Sequence, residues 1–219
     1  MNQNLGLLGK KLGNTQIFTD DGEVRRVTVV ETGPCLVVGK RSTDKHGYSA
    51  LQLAFGKKKA KGVTKPEAGP FAKLGVDVPE IVKEIRVTEE TAAKFQVGQA
   101  ISLADVFTEG QHVDVSATSK GHGYTGVMKR HNMKGYKRSH GQHEYQRHGG
   151  SIGTNMTPGR VLPGKRMAGQ HGNTKVTVQN LKVTKVLADQ GLILVEGSVP
   201  GPRGGIVTMR HAAKKPAKA

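Results

Sequence analysis

Three histidines in a basic, glycine-rich stretch have a spacing that metal sites use. His140, His143 and His148 lie within KRSHGQHEYQRHGG, and imidazoles close together in sequence are able to converge on one metal ion. The supporting ligands are missing, because Cys35 is remote and Glu144 is the only nearby carboxylate. No paired-cysteine or HExxH signature is present, and a glycine-rich loop would lose much entropy in forming the site. The sequence therefore predicts neither a metal ion nor another cofactor.

A second candidate is GRVLPGKR, residues 159–166, which has the Gly-x4-Gly-Lys spacing of a phosphate-binding loop. The match fails because Arg166 stands where Ser or Thr would hold magnesium, and because the preceding SIGTNMTP is no buried strand. Pro163 also disfavours entry into a helix. What remains is a set of glycine-opened backbone N–H groups beside Arg160 and Lys165, which suit the phosphates of a polymer.

Covalent catalysis lacks its acidic component. Ser139 and His140 place a hydroxyl beside an imidazole, but Asp and Glu are almost absent from this region. A base with an orienting carboxylate cannot be assembled locally. We therefore predict that the chain is not an enzyme and has no small-molecule substrate. An enzyme acting on RNA with a metal or nucleotide is the alternative, and clustered carboxylates would favour it.

Charge indicates the class of partner. The 219 residues include 34 Lys and Arg against 17 Asp and Glu, a formal net charge of +17. The positive side chains of a chain with this excess of charge repel one another unless a polyanion is nearby. The single Cys35 excludes an intramolecular disulfide framework. Neither an export signal nor an apolar run of about 18 residues is present, so we expect a soluble, intracellular protein that contacts no membrane.

Strand patterns dominate both ends of the chain and predict a mainly β fold. Short runs rich in Val, Leu and Ile, such as NLGLLG, QIFT, EVRRVTVVET, CLVVGKR, YSALQLAFG, IVKEIRV, QAISLADVF and HVDVSA, are separated by turn residues. With no long helical pattern between them, they favour a closed barrel or a sandwich. We assign residues 1–118 and 174–210 to this β domain, with a hairpin at 188–191. A short helix at 66–75 belongs to a small insertion at about 57–77.

Residues 119–173, here called the basic arm, have a different composition. Between Ser119 and Lys175 the chain carries eleven Lys or Arg and six His against one acid, Glu144. Neither the helical nor the strand period persists there, which predicts that packing does not order the arm from within. Folded back as a loop, about 55 residues would reach at most about 90 Å. The lysine-rich run at 57–66 and the tail at 211–219 are further basic segments.

Nucleic-acid binding accounts for the arm's composition. Lys and Arg neutralise phosphates, glycine lets the backbone approach closely, and Tyr124, Tyr136 and Tyr145 offer flat faces for unpaired bases. RNA is favoured over DNA, because no helix-turn-helix, zinc-finger or basic-zipper pattern is present and an irregular arm suits an irregular target. We therefore expect folded RNA to order the arm. A basic chaperone or DNA-compacting protein is a third possibility, distinguished by indifference to RNA sequence and shape.

Five motifs resemble one known family. GLLGKKLGNTQIF, VTKPEAGPFAKLGV, TSKGHGYTGVMKRHN, SIGTNMTPGRVLPGKRMAGQHGN and KVTVQNLKV are similar, in the same order and over nearly the whole chain, to the bacterial-type third protein of the large ribosomal subunit. The resemblance implies a β-barrel of the kind shared with translation factors and an arm directed towards the peptidyl-transferase region. It also implies binding to large-subunit ribosomal RNA near its 3′ end, an early role in assembly, and neighbouring ribosomal proteins as partners. The expected location is the bacterial cytosol, with an organelle left open.

Two positions depart from that family's usual pattern. Thr154 stands where many bacterial members carry a methylated Gln, so this modification is not predicted here, and Asn14 replaces the usual Met. The predicted RNA-binding residues are the basic, polar and aromatic side chains Lys10, Lys11, Lys57, Lys58, Lys59, Lys61, Lys65, Ser119, Lys120, His122, Tyr124, Lys129, Arg130, His131, Lys134, Tyr136, Lys137, Arg138, His140, Arg147, His148, Ser151, Thr154, Asn155, Arg160, Lys165, Arg166, His171 and Lys175.

Overall fold

Runs of Val, Leu and Ile form the strands of a mainly β fold, as predicted. A computed structural model describes residues 4–19 and 21–215. The strands are β1 (Gly6–Phe18), β2 (Val24–Glu31), β3 (Cys35–Arg41), β4 (Ala50–Phe55), β5 (Ile81–Arg86), β6 (Ala100–Ile101), β7 (His112–Thr118), β8 (Gly123–Thr125), β9 (Gly169–His171), β10 (Lys175–Leu187), β11 (Leu192–Glu196) and β12 (Ile206–His211). The helices are α1 (Thr43–His46), α2 (Lys65–Lys73), α3 (Glu89–Lys94) and α4 (Val127–His131).

Two compact units divide the chain. The first combines Met1–Thr118 with Lys175–Ala219, and the second is Ser119–Thr174, which contains the basic arm. Within the first unit, six strands pair antiparallel in the order β1-β12-β7-β10-β11-β2. The ring closes because β2 also pairs with β1, from Lys10↔Glu31 to Phe18↔Val24. A closed ring leaves no unpaired strand edge among its members.

A second sheet packs on the same apolar core. Its strand order is β5-β4-β3-β6, and its side chains Leu51, Leu53 and Ile85 are fully buried in one cluster with Leu8 and Met209 of the ring. In β4 five of six residues are buried, and its sequence ALQLAF is a near-continuous apolar run, as expected of a strand covered on both faces. In β7 four of seven residues are buried, and its sequence HVDVSAT alternates polar and apolar residues.

Two local predictions are confirmed. The predicted helix at 66–75 is α2, which starts with a capping box in which Thr64 and Glu67 satisfy each other's backbone N–H groups. The predicted hairpin at 188–191 joins β10 to β11 through a 3-10 turn, and Gly191 ends that turn with a φ of 64°. Glycine adopts this left-handed conformation without the steric cost that a β-carbon imposes.

Other elements differ from the sequence prediction. The two predicted strands NLGLLG and QIFT are one strand, β1, in which the register shifts between Lys11 and Gly13. Of the predicted strand QAISLADVF, Ala100–Ile101 alone forms a strand, β6, and the chain then turns, with Asp105 accepting hydrogen bonds from the backbone and side chain of Ser102. Beyond β6, Leu103, Val106 and Phe107 are buried without belonging to a strand. The helix α3, capped by Thr88, was not predicted.

The carboxyl-terminal tail begins later than predicted. His211 is the last residue of β12, Ala212 is fully buried, and the backbone N–H of Ala213 donates to Asp114 over 3.1 Å. These contacts extend the ordered β structure beyond residue 210. The sequence did not predict them, because the burial of one small residue leaves no periodic pattern. Residues 216–219 of the tail lie outside the described residues. Across 4–19 and 21–215, no helix has the length and apolar character to span a bilayer.

Candidate nucleic-acid interface

Positive charge in the second unit is left without acidic partners. Its only acid, Glu144, is exposed in a 3-10 turn at His143–Arg147. The ion pairs that the described residues form all lie in the first unit. Most of the arm's predicted cations are solvent-exposed, namely Lys120, Lys129, Lys134, Lys137, Arg138, Arg147, Arg160, Lys165 and Arg166. The arm therefore presents a positive field that an external polyanion is able to neutralise.

The base of the arm is a short two-stranded ribbon. β8 pairs with β9 from Gly123↔His171 to Thr125↔Gly169, and the rings of His122 and His171 stack with centroids 5.0 Å apart. At the two ends of the arm, the backbone N–H of Ser119 donates to the carbonyl of Thr174 over 2.9 Å. These hydrogen bonds hold the outgoing and returning segments of the arm together where it begins.

The helix α4 fastens the returning segment. The Arg130 guanidinium donates to the Met167 carbonyl over 2.8 Å, and His131 Nε2 lies 3.0 Å from the same oxygen. Gly169 sits against the Arg130 guanidinium so closely that a β-carbon there would collide with it. Val127, in the same helix, is buried. Arg130 and His131, which the sequence assigned to RNA contact, thus also contact protein.

Internal order extends into the middle of the arm, contrary to the sequence prediction. The backbone N–H of Tyr136 donates to the Gln146 carbonyl over 3.1 Å, and the Gln146 amide donates to the Arg138 carbonyl over 3.2 Å. Gly135, with a φ of 74°, lies against both Gln146 and Met128. Hydrogen bonds and glycine turns provide this order, whereas periodicity reveals only elements that bury an apolar face.

The distal part of the arm is exposed throughout residues 148–167. Here Ser151 donates to the Gly153 carbonyl and Thr154 to the Thr157 carbonyl over 2.5 Å, so both hydroxyls serve local turns. Five large apolar side chains of this part also face solvent, since Ile152, Met156, Val161, Leu162 and Met167 are 54%, 86%, 42%, 58% and 37% exposed. The sequence analysis did not select these side chains. They could have been recognised as apolar residues in a segment that has no core-forming period.

Tyr124, Tyr136 and Tyr145 are exposed by 80%, 48% and 56%. Tyr145 also lies edge-on to His148, with ring centroids 5.1 Å apart. Rings with accessible faces are able to stack on unpaired bases. The aromatic, apolar and cationic side chains of the arm therefore form a mixed surface that suits both the phosphates and the bases of a folded nucleic acid.

Several predicted cations of the first unit have protein partners. Lys11 donates to the carbonyls of Val199 and Gly201 over 2.7 and 3.2 Å. Ion pairs join Lys57 to Asp77, Lys58 to Glu67 and Lys10 to Glu80, at 2.6, 2.8 and 3.7 Å. Lys59, Lys61 and Lys65 are exposed around the start of α2. This cluster is therefore less positive than the arm.

Chemistry other than binding finds little support in the described residues. No group of three or more His, Cys, Asp or Glu within 4–19 and 21–215 is placed to hold a metal ion. Burial raises the pKa of the Cys35 thiol to about 11, so this side chain is a poor nucleophile near neutral pH.

A β unit with a basic, acid-poor extension is typical of proteins that bind a polyanion. The comparisons with known proteins narrow the class. The family model described as Ribosomal protein L3 matches residues 56–192, and the chain belongs to this family, as the motifs indicated.

Near full-length relatives carry the name large ribosomal subunit protein uL3. That of Sorangium cellulosum (strain So ce56) is 51% identical over 215 residues, covering 98% of this chain and 92% of the relative. Those of Paracidovorax citrulli (strain AAC00-1) and Nocardia farcinica (strain IFM 10152) are 49% and 50% identical over 214 and 209 residues. They cover 98% and 95% of this chain and 96% and 93% of the relatives. The family is structural, and the chain is not an enzyme.

Proposed function

We propose that this protein, a structural constituent of the large ribosomal subunit in the bacterial cytoplasm, binds large-subunit ribosomal RNA directly near its 3′ end. The single observation that carries the proposal is the unneutralised positive charge of the basic arm, most of whose cations are exposed and whose one acid is Glu144. Lys and Arg side chains that replace condensed counterions on phosphates bind RNA with a steep dependence on salt.

The first unit serves as the docking base. Its closed six-stranded ring is proposed to be a barrel of the type shared with translation factors. A rigid β scaffold fixes the positions from which the arm leaves and returns, because Thr118 and Lys175 are paired across β7 and β10. Neighbouring ribosomal proteins would share this base as partners.

The arm reaches into the folded RNA, towards the peptidyl-transferase region. Its half-length allows an extension of at most about 90 Å, although the ribbon at its base and the hydrogen bonds around Tyr136 shorten it. Because these contacts fold the proximal arm in advance, binding costs less ordering entropy than it would for a disordered segment. A partly ordered arm that bridges distant RNA segments would nucleate early assembly of the subunit.

The test is binding of the purified chain to large-subunit ribosomal RNA across a salt series, with an equal mass of unrelated structured RNA as competitor. We expect a complex that survives the competitor. Replacing Arg130, Lys137 and Arg138 by Ala should lower the salt slope by about two, at roughly 0.7 to 0.9 per phosphate contact.

A matched control replaces three exposed cations of the first unit, Lys40, Lys45 and Lys94, and should leave the slope within about 0.5 of the wild-type value. Equal loss of the complex to unrelated RNA would instead identify a generic polycation. An unchanged slope in the arm variant would place the phosphate contacts elsewhere.

A further inference from the structure

A groove on the first unit has no role in the function proposed above. It has a volume of about 640 Å³ and runs between β5 of the four-stranded sheet and the outer faces of β7, β10 and β12 of the ring. All of its lining residues belong to the first unit. The groove is therefore a surface of the docking base and not of the arm.

Four cationic side chains line this groove. Lys83 and Arg86 come from β5, Lys175 from β10 and Arg210 from β12. The three strands lie far apart in sequence, and only the packing of the sheet against the ring brings these side chains together. Of the four, the sequence predicted a role for Lys175 alone.

The acids in the groove wall have protein partners of their own. Glu84 accepts hydrogen bonds from Tyr48 and Gln52 over 2.6 and 2.9 Å, and it pairs with Arg41 over 3.1 Å. Asp114 accepts from the backbone N–H groups of Asn180 and Ala213 over 3.0 and 3.1 Å. Arg41 therefore offsets the charge of Glu84, whereas Asp114 keeps its negative charge and is held by backbone donors. The lining residues still carry four cations against these two acids.

Two ammonium groups act on each other in the groove. Lys83 is half-buried, and its pKa is lowered first by desolvation and then by the positive charge of Lys175. Desolvation also lowers the pKa of Arg210. An anion bound between the two lysines would relieve their repulsion and replace lost hydration.

The remaining lining groups are suited to phosphate oxygens. Ser116 and Thr177 share a hydrogen bond of 2.7 Å across β7 and β10, and Thr118 and Thr208 add further hydroxyls. Among the described residues that line the groove, the apolar ones are Ala117 and Ala213. A peptide partner would need larger apolar or aromatic anchors, whereas a sugar–phosphate backbone needs cations and hydroxyl donors.

We propose that this groove binds the sugar–phosphate backbone of ribosomal RNA as a second RNA contact, separate from the arm and centred on Lys83 and Lys175. The inference rests on the proposed function, because it takes the same large-subunit ribosomal RNA as the ligand. It adds a site on the docking base, where phosphate contacts fix the orientation from which the arm enters the RNA.

The first test compares the wild-type chain with Lys83→Gln/Lys175→Gln, in both binding competition and salt dependence. Two lost phosphate contacts should lower the salt slope by roughly 1.5. The matched control Lys45→Gln/Lys94→Gln removes the same charge from exposed helix positions outside the groove and should not change the slope. Cooperative thermal melts establish that both variants are folded.

The outcomes separate this inference from the proposed function. If the wild-type chain loses its ribosomal RNA to the competitor, the proposed function fails. If the wild-type chain and the Arg130/Lys137/Arg138 variant behave as expected but the groove variant keeps the full slope, only the groove inference is overturned. A drop in slope that equals that of the charge-matched control also overturns it.

A second test identifies the occupant by lysine acetylation and mass spectrometry. We expect acetylation of Lys83 and Lys175 to fall at least fivefold when the full chain binds free large-subunit ribosomal RNA, while Lys45 stays reactive. Protection that appears only in assembled subunits, and not with free RNA, would assign the groove to a neighbouring protein and overturn the proposal.

Discussion

At the scale of single residues, the cations of the arm differ in what they contact. Lys137 and Arg138 are exposed, whereas the half-buried Arg130 donates to the Met167 carbonyl and packs against Gly169. A guanidinium has several N–H donors, so Arg130 is able to bridge two arm segments and still face a phosphate. Its substitution should therefore affect the folded arm even without RNA.

We predict that Arg130→Ala speeds backbone amide exchange in β8 and β9 about fivefold in the free protein, since a lost hydrogen bond costs on the order of 1 kcal/mol. Hydrogen exchange with mass spectrometry measures this. Lys129→Ala, which removes the neighbouring exposed cation, is the control and should leave exchange unchanged. Equal exchange in the two variants would mean that Arg130 does not hold the arm.

The ionisation of Glu84 should make the stability of the fold depend on pH. Hydrogen bonds from Tyr48 and Gln52, together with Arg41, lower the pKa of this carboxyl from 4.5 to about 2. Because the folded pKa lies below the unfolded one, the stabilisation is complete above about pH 4.5 and is lost as the pH falls towards 2.

We therefore expect Glu84→Gln to lower the free energy of unfolding by about 1 kcal/mol at neutral pH, the scale of an exposed charged pair. Urea melts from neutral pH down to about pH 2 should show the difference from wild type disappearing through this window. Glu90→Gln, at an exposed position of α3, is the control. A difference that persists unchanged at the acid end would contradict the assignment.

At the scale of elements, the arm is an insertion between two strands that pair with each other. Thr118 and Lys175 are partners in the β7–β10 ladder, and the second unit begins and ends directly beyond them. The ring's core residues all lie outside the arm. The stability of the ring should therefore depend little on the arm.

Replacing Ser119–Thr174 by the two residues Asn-Gly, which favour a tight hairpin turn, should leave a cooperative thermal melt within about 5 °C of the wild-type midpoint. The same variant should lose most of its affinity for large-subunit ribosomal RNA. Circular dichroism and a binding series measure the two effects. Loss of the cooperative transition would show that the β unit needs the arm in order to fold.

At the scale of the whole molecule, the formal charge of +17 makes the free protein repel itself. Added salt screens this repulsion, because the Debye length falls from about 14 Å at 0.05 M to about 4 Å at 0.5 M. The large subunit's RNA would supply the same relief in the assembled state. The stability of the isolated chain should thus depend on ionic strength.

We expect the melting temperature to rise with NaCl over this range by several degrees. The Asn-Gly variant is the control, because it lacks ten Lys and Arg and one Glu, which lowers the formal net charge from +17 to +8. Its melting temperature should respond less to salt. An equal response in both proteins would show that general salt effects, and not charge repulsion, cause the change.

Local and compositional properties were predictable from the sequence. The mainly β class, the helix α2, the hairpin at 188–191 and the boundaries of a basic segment all follow from residue types within short windows. The motifs identified the family because they preserve residue order over the chain. Turn glycines and strand alternation are patterns within a few neighbouring residues. They can therefore be recognised without knowing which distant residues are in contact.

Tertiary structure decided which distant residues meet. The closure of the ring by β1 and β2, the pairing of Glu84 with Arg41, and the groove that assembles Lys83, Lys175 and Arg210 depend on strand order and register. The hydrogen bond from the Arg130 guanidinium to the Met167 carbonyl joins two residues that belong to no common periodic sequence pattern. A linear pattern reports whether a side chain is buried, but the identity of its neighbours is set by packing in three dimensions.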